Sequence, residues 1–251
     1  MTGAGQLAIV GLGPGGPAHR TRAAEDAVRA AEVVVGYRSY LDQCADLTGS
    51  HQVLVPGGMG AEQERAVDAV HAAADGHRVA LVSSGDAGIY GMASLALCTV
   101  AGLVAERRPA VHLVPGVTAA TAAGALLGAP LARDFACLTL SDILAPWAAV
   151  EARVRAVAAA DLVLALYNPR SASRPWQLAR AVQVLLEHRR PDTPVGLVTD
   201  AGRHGERVEL ATLAGLDPGE VGMRTVVIVG SSATSRVGDW LVTARELAVP
   251  G

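Results

Sequence analysis

Val79-Ala80-Leu81-Val82-Ser83-Ser84-Gly85-Asp86-Ala87-Gly88-Ile89-Tyr90-Gly91 is a short apolar run that empties into a loop with three glycines, one carboxylate and one phenol. A brief unbroken apolar run bounded by small polar residues suits a strand buried on both faces, as in a parallel sheet. Glycine lets the backbone adopt positive φ and approach a ligand closely. Ligands of open α/β sheets bind beyond the carboxyl ends of the strands. The stretch therefore predicts an α/β fold with a small-molecule site at this strand end.

Outward from it, short β-branched runs alternate with Ala-rich helical patterns, the rhythm of an α/β chain. Gln6–Gly11 reads as a strand, His19–Ala31 as a helix, and Glu32–Val35 as a second strand ended by Gly36. Ala61–Ala74 carries apolar residues at 66, 67, 70, 73 and 74, a helical stripe closed by Gly76. Arg78–Val82 is the third strand, Met92–Ala105 an apolar helix and Val111–Val114 a fourth strand. Farther on, Ala136–Leu140 and Leu162–Leu166 read as strands around a helix opened by Pro146 and running to Ala160. Ser173 can N-cap a helix carrying Trp176, Ala179, Val182, Leu185 and Leu186. The cations of His188-Arg189-Arg190 complement its C-terminal dipole, and Pro191 stops it. Val195–Thr199, Arg207–Thr212 and Thr225–Val229 complete a second set of strands. A turn at His204-Gly205 predicts antiparallel pairing there. The change of rhythm predicts two α/β domains, residues 1–114 and 115–251, the first sheet mostly parallel and the second mixed.

Composition narrows the function. With 51% hydrophobic but only 3% aromatic residues, the core must be built from Ala, Val and Leu. A formal net charge of −3 lacks the basic footprint that nucleic acid requires. Cys44, Cys98 and Cys137 form no C-x-x-C pair, so neither a disulfide framework nor a metal site is suggested, and buried reduced thiols are expected. None of the seven histidines stands at ligand spacing. The stretch from Pro115 to Ala132 is too rich in Gly and Thr to be a good membrane span, and without a basic segment followed by an apolar one near residue 1 no signal peptide is expected. A soluble cytoplasmic protein is expected.

Gly11-Leu12-Gly13-Pro14-Gly15-Gly16 formally satisfies G-x-G-x-x-G. Pro14 and Pro17 lack N–H groups where a dinucleotide turn offers amides to a pyrophosphate. The second strand also ends without an acidic residue for a ribose. A dinucleotide role is disfavoured, which leaves a tight turn or another ligand.

Read together, these motifs resemble the tetrapyrrole methylases that use S-adenosylmethionine. The order is Val10-Gly11-Leu12-Gly13-Pro14-Gly15, then Ser84–Gly91, then Val114-Pro115-Gly116-Val117-Thr118-Ala119-Ala120. Val35-Gly36-Tyr37, Gly128-Ala129-Pro130-Leu131, Leu140-Ser141-Asp142-Ile143-Leu144-Ala145-Pro146-Trp147 and Tyr167-Asn168-Pro169-Arg170-Ser171 narrow the resemblance to the branch acting at C(17) of precorrin-3B in cobalamin biosynthesis. Thr193-Pro194-Val195 and Val229–Thr234 extend it over essentially the whole chain. The chain departs from the family pattern at Ala132-Arg133-Asp134-Phe135, Gly222-Met223 and Gly230-Ser231-Ser232.

The resemblance implies two domains with the cofactor in a cleft between them, in a homodimer, and S-adenosylhomocysteine as product. It places cofactor contacts at Pro14, Ser84, Gly85, Asp86, Ile89, Thr118, Ala119, Asn168 and Ala201. Loss of the C(20) bridge during methylation calls for proton-transfer groups, for which Asp142, Tyr90, Tyr40 and Arg133 are candidates. A substrate rich in carboxylates suits Arg38, Arg133, Arg170 and Arg174 as clamps. Each has a plainer alternative. Asp86 can N-cap a helix near Ile89, Asp142 a helix before Trp147, Tyr37 and Tyr40 can pack with polar tips outward, and Arg170 and Arg174 can be solvated surface. A sister methylase acting at another carbon, or a binding protein without catalysis, stays open.

Overall fold

Apolar runs become strands and Ala-rich stripes become helices because each buries its own periodic face. The computed structural model describes residues 5–245 and separates into two units, Met1–Ala119 and Ala120–Gly251. The first holds β1 (Gln6–Gly11), α1 (Arg22–Ala30), β2 (Val33–Tyr37), α2 (Arg38–Gln43), β3 (Val53–Gly57), α3 (Glu62–Ala74), β4 (Arg78–Ser83), α4 (Ala93–Ala101) and β5 (Ala110–Val114). Its strands form one sheet in the order β3-β2-β4-β1-β5, with every neighbouring pair parallel. Ile9, Val10, Val34, Val35, Ala80 and Leu81 are fully enclosed. Burial on both faces is why β1, β2 and β4 are unbroken apolar runs rather than alternating ones.

On one face α1 packs Val28 against Val10, Val34 and Ala80. On the other, α3 and α4 pack Ala69, Val70 and Ala96 against Leu7, Ile9 and Leu81. The connection from β1 through α1 thus leads to β2 on one face, and that from β4 through α4 to β5 on the other. The adjacent pair β1/β4 is therefore a topological switch point, where the ends of parallel strands open a crevice for ligands. Gly11 lies opposite Ser83 across this pair, so both following loops leave the sheet at one level.

Local chemistry sets the helix ends. Thr21 Oγ1 accepts from Ala24 N at 3.1 Å, so α1 starts at Arg22 and not at His19, which belongs to a separate single turn. Gly76, at φ +104°, closes α3 as expected: its N–H reaches Ala73 O and that of His77 reaches Ala72 O, a Schellman pattern. α4 stops at Ala101 with Gly102 as C-cap, short of Ala105. β3 is an edge strand whose exposed Val53 and Leu54 and internal Pro56 disguise it in the sequence.

In the second unit, α5 (Ala119–Leu127), which opens at the boundary, is followed by β6 (Gly128–Ala129), β7 (Phe135–Thr139), α6 (Trp147–Ala159), β8 (Val163–Tyr167) and α7 (Gln177–Leu186). β9 (Pro194–Thr199), β10 (Arg207–Thr212), β11 (Thr225–Val229), β12 (Thr234–Val237) and β13 (Trp240–Thr243) complete it. The main sheet runs β10-β9-β11-β8-β7 and a small one β12-β13-β6. β7 and β8 are parallel, while β11 is antiparallel to both β8 and β9. β7, β8 and β9 therefore point the same way, and their carboxyl ends gather at one edge. The hairpin expected at His204-Gly205 joins β9 to β10 in antiparallel register. The core packs Val150, Val154, Leu178 and Leu185 on Leu164, Leu166, Val195 and Val227.

Several expectations need correction. Ser173 caps no helix: α7 begins after Trp176 without a side-chain cap, and the Ser173 hydroxyl lies 3.3 Å from that of Ser171. Arg189 does not turn its guanidinium to the C-terminal dipole of α7. It is buried and donates to the carbonyls of Gly230, Val229, Leu162 and Val157, drawing separate segments together. Of the thiols only Cys44 is buried; Cys98 is exposed and Cys137 half-buried. Among the described residues, no helix is long and apolar enough to cross a membrane.

Candidate active site

Three loops meet at the carboxyl ends of β4, β1 and β5. Gly13 N donates to Gly85 O at 3.0 Å and Gly85 N to Gly13 O at 2.7 Å, an antiparallel bridge between two loops that follow parallel strands. Asp86 ties in the third loop, its Oδ2 accepting from Gly116 N at 2.9 Å. Its Oδ1 accepts from Gly88 N at 2.7 Å. No side chain fits between these backbones: a Cβ on Gly11 would lie 2.7 Å from Gly85 O, and one on Gly116 only 2.2 Å from the same atom. The G-x-G pattern thus serves loop-on-loop packing. Asp86 caps no helix, because α4 starts only at Ala93, where Met92 N donates to Ser83 Oγ at 3.3 Å.

On its other side the strap is open. A Cβ on Gly85 would meet only Ala119 N at 3.9 Å and Thr118 Cα at 4.0 Å. Ser84, Gly85, Asp86, Thr118 and Ala119 are therefore brought together around a small backbone-lined space. The Ser84 hydroxyl donates to Gly13 O at 3.3 Å, and Pro14 is buried beside it. Ile89 and Tyr90 stand exposed. Tyr90 holds φ +54°, a strained backbone for a bulky residue and a frequent mark of functional loops.

Sequence patterns did not reveal what braces this region. From the end of α2, Gln43 Nε2 donates to Gly13 O at 2.9 Å and Gly15 O at 2.7 Å. Arg20 forms a bidentate pair with Asp46 at 2.8 and 2.6 Å, which holds the Asp46 carboxyl below its ordinary range. Tyr37 and Tyr40 pack edge to face, their centroids 5.3 Å apart, and Arg65 lies over the Tyr37 ring at 6.0 Å. Arg38 is exposed.

At the gathered strand ends of the second unit, Thr139 Oγ1 accepts from Asn168 Nδ2 at 3.0 Å and from Ser141 N at 3.1 Å. Asn168 holds φ +50°, and its carbonyl accepts from Arg174 Nη1 at 3.2 Å. Arg174 is therefore no surface cation: it is buried, with Nη2 against Met223 Sδ at 3.3 Å. Arg170 is half-buried. Asp142 caps nothing, since α6 has Pro146 at its N-cap and no side-chain bond there. Instead Asp142 Oδ2 accepts from Gln177 Nε2 at 3.1 Å. Ala201 is buried and follows Asp200, at φ +52°, whose carboxylate pairs with Arg224 at 3.1 Å. Arg133 precedes β7 and so stands at the opposite end of that strand from Asp142.

A parallel sheet whose switch point carries three strapped glycine loops is the architecture of an α/β protein with a candidate small-molecule site at its strand ends. The chain belongs to the tetrapyrrole (corrin/porphyrin) methylases, whose family model matches residues 6–217. It is 45% identical over 241 residues to the probable cobalt-factor III C(17)-methyltransferase of Salmonella typhimurium, spanning 95% of this chain and 98% of that one. To the precorrin-3B C(17)-methyltransferase of Sinorhizobium sp it is 40% identical over 232 residues, 92% of this chain and 90% of the relative. The crystal structure of the methyltransferase CobJ matches with a TM-score of 0.91 at 36% identity, covering 96% of this chain and all of that one. Some other relatives are longer, the chain spanning 45% of one and 52% of another.

Proposed function

We propose that this protein transfers the methyl group of S-adenosylmethionine to C(17) of precorrin-3B, with contraction of the ring to precorrin-4, in cobalamin biosynthesis. The observation that carries the reading is the strap of Gly13, Gly85 and Gly116, with open space over Gly85 next to Thr118 and Ala119. These residues fit the cofactor. The space over Gly85 is free of side chains, Thr118 offers a hydroxyl, and the Asp86 carboxylate favours a sulfonium cation. Pro14, Ser84, Gly85, Asp86, Ile89, Thr118 and Ala119 would hold it, with Asn168 and Ala201 assigned by the resemblance.

When bound, the cofactor supplies an electrophilic methyl carbon. The chain's contribution to that displacement is alignment, worth roughly 7–11 kcal/mol for a near-attack geometry. Asp142 serves as proton acceptor in the ring contraction, and Tyr90, Tyr40 and Arg133 are the further groups assigned to its proton transfers. Arg38 and Arg170 contact the carboxylates of the substrate. The protein works as a cytoplasmic homodimer. The name of the Salmonella relative specifies cobalt-factor III, so a cobalt-containing acceptor is the second reading.

Titration calorimetry with S-adenosylmethionine and S-adenosylhomocysteine tests the cofactor; binding of neither refutes it. Incubation with precorrin-3B or cobalt-factor III, followed by product mass, separates the acceptors, and no gain of a methyl group with either sinks the catalytic reading. Asp86→Ala should weaken cofactor binding by about tenfold or more, or about 1.4 kcal/mol, with the chain still folded. Unchanged affinity would leave Asp86 as a loop tie alone.

A further inference from the structure

Gln177 opens α7 and is only 2% exposed. Its Nε2 donates to Asp142 Oδ2 at 3.1 Å, while its Oε1 is sealed from solvent and has no donor among the described residues. A buried acceptor without a partner costs stability, and an apolar side chain of the same length would remove that cost. The amide is therefore poorly explained as a stabilising element. What it does contribute is the orientation of one carboxylate. Asp142 lies on the loop from β7 to α6, where the next two residues, Ile143 and Leu144, are 76% and 93% exposed. A loop with so exposed a tip offers little packing to fix a carboxylate, and the bond from rigid α7 supplies what packing does not.

The chemistry of the partner matters as well. A cation in this place would stabilise the anion strongly and make it a poor proton acceptor. A primary amide is neutral and carries both a donor and an acceptor. With Asp142 ionised, Nε2 must face it, as it does. With Asp142 protonated, a half-turn of the amide presents the orphaned Oε1 to the new O–H. One side chain can thus pair with the carboxyl before and after a proton arrives.

We propose that Gln177 is a positioning residue, holding Asp142 in place through both protonation states. The proposal rests on the reading of Asp142 as the proton acceptor. The test compares Asp142→Asn, Gln177→Met and the double variant for kcat, KM, S-adenosylhomocysteine affinity and melting temperature. Gln177→Met should lower kcat about tenfold or more, leave KM and cofactor affinity within about twofold of the parent, and melt at the same or a higher temperature. The double variant should be no slower than Asp142→Asn, because the amide acts through that carboxylate. A Gln177→Met enzyme with unchanged kcat, one whose melting temperature and cofactor affinity fall together, or losses that multiply in the double variant would each overturn the proposal. If Asp142→Asn keeps its activity, the reading of Asp142 falls and this inference with it. If Asp142→Asn is slow while Gln177→Met is fast, only the inference fails.

Discussion

Replacing Gly116 by alanine is the sharpest perturbation of the strap. The added Cβ would stand 2.2 Å from Gly85 O, where ordinary contact begins at 3.4 Å. It would also lie 2.7 Å from the Gly11 carbonyl, so it is wedged between two backbones with no flexible side chain to yield. Relief requires the loops to separate by about 1.2 Å, the difference between those first two distances. A shift of that size takes the bond from Gly116 N to Asp86 Oδ2 from 2.9 Å to beyond hydrogen-bonding range. Overpacking together with a lost charge-assisted bond costs about 2–4 kcal/mol, a fall in melting temperature of roughly 5–15 °C. Misplacement by about 1 Å also costs roughly a hundredfold in an aligned site. Scanning calorimetry and titration with S-adenosylhomocysteine read both effects. Gly85→Ala is the companion variant: its Cβ meets nothing nearer than 3.9 Å, so stability should drop only by the strain of an alanine at positive φ, about 1–2 kcal/mol. Its methyl would nevertheless occupy the proposed cofactor space, so affinity should fall by more than stability does. A Gly116→Ala protein that melts within about 2 °C of the parent and binds the cofactor product normally would refute this reasoning.

Arg189→Leu should destabilise the protein by about 2–4 kcal/mol, since it strands several buried carbonyls. Arg189→Lys should not rescue it, because an ammonium cannot span the same fork; an unchanged urea midpoint would count against the buried staple. Arg20 holds the Asp46 carboxyl below its ordinary range. That pair stabilises the fold above the unfolded carboxyl pKa of about 4, and its contribution disappears as pH falls through the lower folded value. Melting curves of Asp46→Asn between about pH 3 and 6 should accordingly lose part of the acid-side slope. Burial raises the Cys44 thiol to about 11, whereas Cys98 is exposed. At mildly alkaline pH a thiol reagent should modify Cys98 first and reach Cys44 only on unfolding, and early labelling of Cys44 would contradict its burial.

Much of the scaffold was legible because buried parallel strands leave apolar runs and helices leave stripes. β1 and the closure of α3 at Gly76 emerge as read. β3 and α2 stayed hidden, since an exposed edge strand with a proline and a six-residue helix carry little periodic signal. At the site, the residue types of the glycine loops pointed to backbone-lined ligand binding. The braces Gln43, Arg20 and Gln177 did not show, because a polar residue looks the same in sequence whether it faces water or a distant partner.

By itself the sequence determined the fold class, the strand ends that carry the loops and the family, because all of these reside in local pattern and contiguous motif. The tertiary structure alone decided which of the residues meet. Asp86 and Gly116 are separated by 30 residues, Asp142 and Gln177 by 35. Such pairs are created by strand order and crossover, which no local pattern encodes. For that reason Asp86 became a tie between loops instead of a helix cap, Arg174 became a buried staple instead of a surface cation, Arg189 a buried staple instead of a complement to a helix dipole, and Asp142 acquired a neutral partner.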